Sequence, residues 1–444
     1  MTAGRLRAAA LLLSLAAPAF AAAPPAAPPV LPFIEDDYGR ALSQARGRGV
    51  PIFLEAWAPW CHTCRSMRAF VFTDRALAGR AREFVWLSID TEKRANAPVL
   101  TRYPVEAWPT FFVIDPKSET AILRWVGGAT VPQLQKLLDD ARRAAGGREK
   151  GVDGILARAD RLYGQEKNGE AAAAYREALS KAPPGWKSYA RAVESLLFAL
   201  RRIHDDASCA AAAREAFPTL ADTPSAANVA ASGLDCALSL VPGDPARAGL
   251  IATLAADGRA VIARPRTDLA ADDVSSLYET LAQEREAAGD EAGRRRLLTD
   301  WAAFLEGEAA RAKTPQERTV FDSHRLSAYL ALGEPQKAIP MLLASQKDFP
   351  DDYNPPARLV LAYEAMKDYE MALQASDKAL HNAYGPRLIG MLTVRSRVCQ
   401  EKGDLVSARI AMEEAIREAE ALPAGQRSES QIASLKKKLA ELPR

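Results

Sequence analysis

The constraint that most limits what this chain can fold into is Trp60-Cys61-His62-Thr63-Cys64, set directly after the apolar run from Val50 to Trp57. A near-continuous apolar run of that length suits a strand covered on both faces. Two cysteines with two residues between them, at the start of the helix that follows, lie close enough to form a reversible dithiol/disulfide pair. Cys61, in the first turn, meets unpaired backbone N–H groups and the positive end of the helix dipole, both of which favour thiolate over thiol. The thiolate attacks in disulfide exchange, so Cys61 is the expected nucleophile. Cys64, one turn further in and less exposed, is expected to resolve the mixed disulfide.

From Phe33 to Gly147 strands and helices alternate. Phe84–Ile89 and Thr110–Ile114 are further apolar strands, and Ile122–Val126 follows the turn cluster Asp115-Pro116-Lys117-Ser118, which predicts an antiparallel hairpin. Val131–Ala144 reads as a closing amphipathic helix. Five of the seven tryptophans fall between Trp57 and Trp125, so this part has a composition of its own. Residues 148–444 read as helical and repetitive. Tyr329, Gly333 and Ala338 recur in kind as Tyr363, Lys367 and Ala372, a step of 34 residues, and Gly403 and Ala408 continue the series at a step of 36. Ala171, Tyr175, Ala178 and Pro183 form an earlier copy. Thirty-four residues is the tetratricopeptide period, in which small residues let antiparallel helices pack closely. Between 184 and 324 the register is not readable, and helix breaks are expected at Pro218, Pro224, Pro242-Gly243 and Pro265.

The segment Pro51–Cys61 resembles the strand that enters the W-C-x-x-C motif of the thioredoxin family. Cys64-Arg65-Ser66-Met67 with Phe72-Thr73-Asp74 is closest in flavour to the domain of DsbD-type bacterial thiol reductases and their soluble relatives. The resemblance covers about Phe33–Ala145. It implies an α/β thioredoxin-like domain (33–147), here followed by an all-α tetratricopeptide-like solenoid (148–444). It also implies that Pro109 is the cis-proline beside the disulfide, turning the Trp108 backbone toward an extended substrate; a trans proline opening a strand is the plainer reading. Glu55, six residues before Cys61, takes the place of a buried acid that moves the proton of Cys64. The family more often has Asp there, and a carboxylate reaching solvent at a strand edge is the other reading. Trp60, His62, Thr63 and Trp108 are the expected substrate-facing residues. A charged His62 would stabilise the Cys61 thiolate, although oxidising relatives carry His at the place held here by Thr63.

The ends and the charge bound the setting. Arg5 and Arg7, the apolar run Ala8–Ala17 and Ala19-Phe20-Ala21 fit a signal peptide over 1–21, followed by an Ala/Pro-rich linker over 22–32. The expected address is the bacterial periplasm or another extracytoplasmic space. Charges nearly cancel, 58 Lys+Arg against 56 Asp+Glu, so nothing argues for nucleic acid, and Lys436-Lys437-Lys438 reads as a solvated helix face. A zinc site at Cys61 and Cys64 would need two further ligands, whereas His204, His324 and His381 are scattered among the repeats. No cofactor is expected. Cys209 and Cys236, 27 residues apart, read either as a structural disulfide or as two buried thiols, with Cys399 left over. The combined expectation is an exported thiol–disulfide oxidoreductase, reductase by resemblance. Its expected partners are a cysteine-bearing client protein, a membrane thiol electron donor or acceptor, and a protein held on the concave face of the repeats. The alternative is an envelope scaffold, for instance in cytochrome c maturation, in which the thioredoxin-like unit docks partners.

Overall fold

The computed structural model describes residues 30–147, 149–264 and 266–443. The expected signal peptide and residues 22–29 of the linker lie outside these. At the other end of the linker, Leu31 is packed into the first core with 2% of its surface exposed.

The N-terminal domain runs β1 (Ile34–Glu35), α1 (Tyr38–Arg48), β2 (Ile52–Trp57), α2 (His62–Ser66), β3 (Val85–Asp90), α3 (Ala97–Arg102), β4 (Thr110–Ile114), β5 (Ala121–Val126) and α4 (Val131–Gly146). The sheet order is β1-β3-β2-β4-β5. β1, β3 and β2 are parallel, whereas β4 is antiparallel to both β2 and β5. Alternate residues of each strand feed two cores. Phe53, Trp86, Phe111 and Leu123 pack with Leu134, Leu137 and Leu138 of α4 on one face. Ile52, Leu54, Leu87 and Phe112 pack with Ala41 and Ala45 of α1 and Leu100 of α3 on the other. Burial on both faces explains why β2 lacks an alternating pattern.

The rest of the described chain is helical. The pairs are α5 (Gly151–Gly164) with α6 (Asn168–Ser180), α7 (Tyr189–Arg202) with α8 (Asp206–Leu220), and α9 (Ala226–Ser239) with α10 (Arg247–Ile262). They continue as α11 (Ala271–Ala287) with α12 (Glu291–Arg311) and, after the single turn α13 (Pro315–Thr319), α14 (Asp322–Leu332) with α15 (Ala338–Asp348). The last are α16 (Asn354–Ala365) with α17 (Tyr369–Asn382) and α18 (Gly385–Lys402) with α19 (Leu405–Glu420), closed by α20 (Glu429–Glu441). Six of the turns inside pairs are made by one residue in the left-handed region: Glu166, His204, Gly289, Gly333, Lys367 and Gly403. Five residues beyond it, Ala171, Cys209, Ala338, Ala372 and Ala408 are completely buried where the two helices touch. Cys209 therefore occupies a small-residue slot, and it is bonded to Cys236 on α9 with the Cα atoms 6.0 Å apart. Cys399 is a buried free thiol. One expected break is corrected: Pro218 lies inside α8, two residues before its end. The proline removes one N–H to carbonyl bond of the last turn, and the helix ends two residues later.

The first helix of every pair touches the N-terminal domain. Gly164 of α5 lies so close to β5 that a Cβ there would sit 2.8 Å from the Ala121 Cβ. Phe198 of α7 lies against Gly127, Ser225 at the start of α9 accepts from the Gln133 amide at 3.2 Å, and Asp272 of α11 faces His62. The concave face expected to receive a client is thus occupied by the chain's own N-terminal domain. A buried ion triad joins the two regions. Arg191 of α7 donates Nε to Asp140 of α4 at 2.8 Å and both terminal nitrogens to Asp160 of α5 at 3.0 Å, and Tyr175 Oη donates to Asp160 at 2.8 Å. Removing the cation leaves buried Asp160 with only the Tyr175 hydroxyl, whereas Asp140 keeps Lys136 and Arg143, so Arg191→Met is expected to cost about 3 kcal/mol in urea unfolding. A loss below about 1 kcal/mol would show that the triad does not hold the regions together.

Candidate redox site

β2 delivers the chain to the site, and α2 starts it. Cys61 caps α2, with its Sγ accepting from the Cys64 backbone N–H at 3.1 Å. The two cysteines are bonded, with Cα atoms 5.3 Å apart. Ala58, Trp57, Trp60 and Trp108 pack around the pair. The Trp108–Pro109 bond is cis, and the Trp60 and Trp108 rings lie 5.0 Å apart, edge to face. The loop after β5 completes the rim, where Gly128 approaches Thr63 so closely that a Cβ would lie 2.9 Å from the Thr63 methyl.

Glu55 lies within β2, wholly buried. Its Oε2 accepts from Arg68 Nε at 3.2 Å and from Ser88 Oγ at 3.3 Å, while Oε1 has no partner. Burial pushes the carboxyl up to about 7, against the pull of the Arg68 guanidinium. Such a group holds or yields a proton near neutral pH. Arg68 also lies over the Trp57 ring, 3.7 Å from its centroid. It reaches Glu55 from a π-helical turn, Met67–Val71, that extends α2. Sequence reasoning singled out Glu55 but missed Arg68 and Ser88, whose partnership depends on that turn and on strand register.

The helical region closes over this rim. Cys61 retains 4% of its surface exposed and Cys64 none. Arg65 donates to Asp352 at 2.8 Å and to Thr319 at 3.1 Å, and Asn354 donates to the Pro59 carbonyl at 3.1 Å. Tyr384 Oη donates to Asp90 at 2.6 Å. His324, one of the histidines that read as scattered, lies against His62 with ring centroids 3.5 Å apart and the rings tilted, and Asp272 lies 3.9 Å from His62 Nε2. Burial, aided by Arg358, pushes the His62 imidazole down to about 4; burial and His62 push His324 to about 3. Here His62 is neutral at pH 7, so charge stabilisation of a Cys61 thiolate does not come from it. His204 and His381 lie in other helical pairs, and among the described residues no His/Cys/Asp/Glu group has a metal-binding arrangement.

Folded Glu55 keeps its proton to a higher pH than the usual 4.5, so between about 4.5 and 7 the folded state binds more protons than the unfolded. Stability contributed by this group is therefore lost as pH rises through that window. In urea unfolding, Glu55→Gln is expected to gain on the wild type by up to about 3 kcal/mol between pH ~5 and pH ~8. Identical pH dependence in the two proteins would place the titration elsewhere.

Residues 38–142 match the family described as thioredoxin-like domain. The helical region aligns with a tetratricopeptide repeat protein from Parabacteroides merdae, at 10% identity over 65% of this chain and 99% of that one, TM-score 0.42. It also aligns with the TPR2AB domain of yeast Sti1 in complex with pHSP90, at 13% identity over 65% and 98% of the two chains, TM-score 0.25. No curated protein matches. The chain carries a thioredoxin-like domain with a Cys61–Cys64 pair, followed by tetratricopeptide-like helical repeats.

Proposed function

We propose that this chain is an exported thiol–disulfide oxidoreductase that reduces disulfides of protein clients in an extracytoplasmic compartment. One observation carries the reading: a bonded Cys61–Cys64 pair at a helix start, with the Cys64 N–H on Cys61 Sγ at 3.1 Å. That N–H, with the helix dipole, stabilises negative charge on Cys61 once the bond is reduced. The Cys61 thiolate attacks one sulfur of the client disulfide, forming a mixed disulfide and expelling the other sulfur as a thiolate. Cys64 loses its proton and attacks the Cys61 sulfur, which releases the second client thiolate and leaves Cys61–Cys64 oxidised. The two electrons gained by the client come from the dithiol, and a membrane thiol donor restores it. Glu55, poised near neutral pH, is the group that takes the Cys64 proton.

A second reading is favoured by the near-complete burial of Cys61. In it the domain is a docked structural unit and the protein a scaffold of the cell envelope. The repeats' surfaces away from the N-terminal domain remain free for a further protein partner in either reading.

Equilibration with glutathione buffers tests both readings. A reductase is expected to titrate near −270 mV, an oxidase near about −120 mV. If no two-electron couple titrates, the scaffold reading replaces the enzymatic one. With an oxidised client, Cys64→Ser is expected to accumulate a mixed disulfide on non-reducing gels and Cys61→Ser to form none; the opposite pattern would exchange the two roles.

A further inference from the structure

The helical region is divided at α11 between two apolar cores. Leu277 and Leu281 of that helix belong to the first, which runs through α5–α10, and Ala282 to the second, which runs from α12 to α18. The two meet the N-terminal domain differently. Val126 of β5 is a buried member of the first core, and Ala157 of α5 is a buried member of the domain's own. With the Arg191 triad, that end is one packed body. Among the described residues, no buried side chain of the domain belongs to the second core; the partly buried Ala69 rests against it. Trp60 rests against Tyr353 and Met391, and Phe70, 38% exposed, lies 6.2 Å from Phe321, ring to ring. The second half is otherwise held over the rim by polar contacts. To the bonds of Arg65, Asn354 and Tyr384 it adds the Arg387 N–H on Glu92 and the Gln426 Nε2 on the Thr91 carbonyl at 2.7 Å. Clefts of about 570 and 340 Å³ flank these contacts, one lined by Trp57 and Tyr384, the other by Trp60 and Gln426. A close-packed core closes such gaps.

We infer that the second half of the helical array, α12–α20, is a gate over the redox pair that swings on α11 while α5–α10 stay anchored to the N-terminal domain. The inference rests on the oxidoreductase reading and adds its regulation. Disulfide exchange brings the Cys61 sulfur into line with both sulfurs of the bond it attacks. Cys61 keeps 4% of its surface exposed, so in the closed arrangement the chain's own contacts shield the dithiol. Opening breaks polar contacts whose partners water replaces at small net cost. It leaves the domain core, both helical cores and the Arg191 triad whole, as hinged motion of packed bodies requires. The pivot lies beside the chemistry, because Asp272 of α11 faces His62.

The test is alkylation of Cys61 by iodoacetamide in the mildly reduced full chain, with the modified cysteine located by peptide mass. The Cys61 thiolate displaces iodide, so one S–C bond forms as one C–I bond breaks. Rates are compared on the high-pH plateau of each protein's pH profile, where Cys61 is wholly ionised and a change in its acidity does not move them. Asp352→Asn removes the charge that holds Arg65 while an amide oxygen still accepts from the Asn354 N–H, and Tyr384→Phe removes the hydroxyl that reaches Asp90. Each is expected to speed alkylation by about fivefold, and the two together by the product, because both act on one opening. Arg191→Met, which loosens the anchored end, is expected to leave the rate unchanged. Equal rates in the wild type and the rim variants would overturn the gate. So would an equal acceleration by Arg191→Met, which would trace the effect to lost stability. Either result leaves the two-electron couple, read by glutathione equilibration, in place. A chain in which no such couple titrates loses the oxidoreductase reading, and the gate with it.

Discussion

The first helix of every pair in the array packs against the chain's own first domain, which covers that face of the repeats. Everything distinctive about the site follows from this one packing relation. The first helices of successive pairs meet the sheet edge, the rim around Cys61 and the segment after β3 in turn. The Arg191 triad fixes the start of the wrap by tying α4, α5 and α7 through one guanidinium. Such a triad contributes through geometry more than net energy, because desolvation offsets much of its attraction. Its directionality sets how α7 departs from α4, and each later pair builds on that angle.

The wrap changes the meaning of the dithiol. Alone, the pair at the start of α2 would be an open site for any accessible disulfide. Under the helical cover its surroundings include His324, Asp272, Asp352 and Arg387, none of them part of the N-terminal domain. A two-part site lets the environment of His62 be set from over 250 residues away in sequence.

The N-terminal domain was legible because its signals are local: an apolar strand, two cysteines at fixed spacing, a turn cluster before β5. The 34-residue step revealed the last repeats for the same reason. The middle stayed unreadable because its turns are not made by glycine alone. His204 holds the left-handed position that Gly333 and Gly403 hold elsewhere, so the punctuation between α7 and α8 was present in an unexpected residue type. In the fourth pair Arg294 stands where the slot residue would be small, and between α9 and α10 no such turn exists among the described residues. The helical half of the site was invisible for a different reason. Nothing in the neighbours of His324, Arg387 or Gln426 marks them, because their role comes from contacts between segments hundreds of residues apart. Glu55 could be placed from its spacing to Cys61, but its poise depends on complete burial and on Arg68, which only the folded sheet and the π-helical turn supply.

Cys209 occupies a slot that other pairs fill with alanine, and with Cys236 it forms a crosslink of which neither residue exposes more than 1% of its surface. Thiol exchange needs a thiolate to approach along the line of the two sulfurs, and packed helices on every side deny that approach. The Cys61–Cys64 pair therefore has no line of approach to this crosslink while the helices stay packed. The protection is steric and independent of potential, so it lasts as long as the packing does.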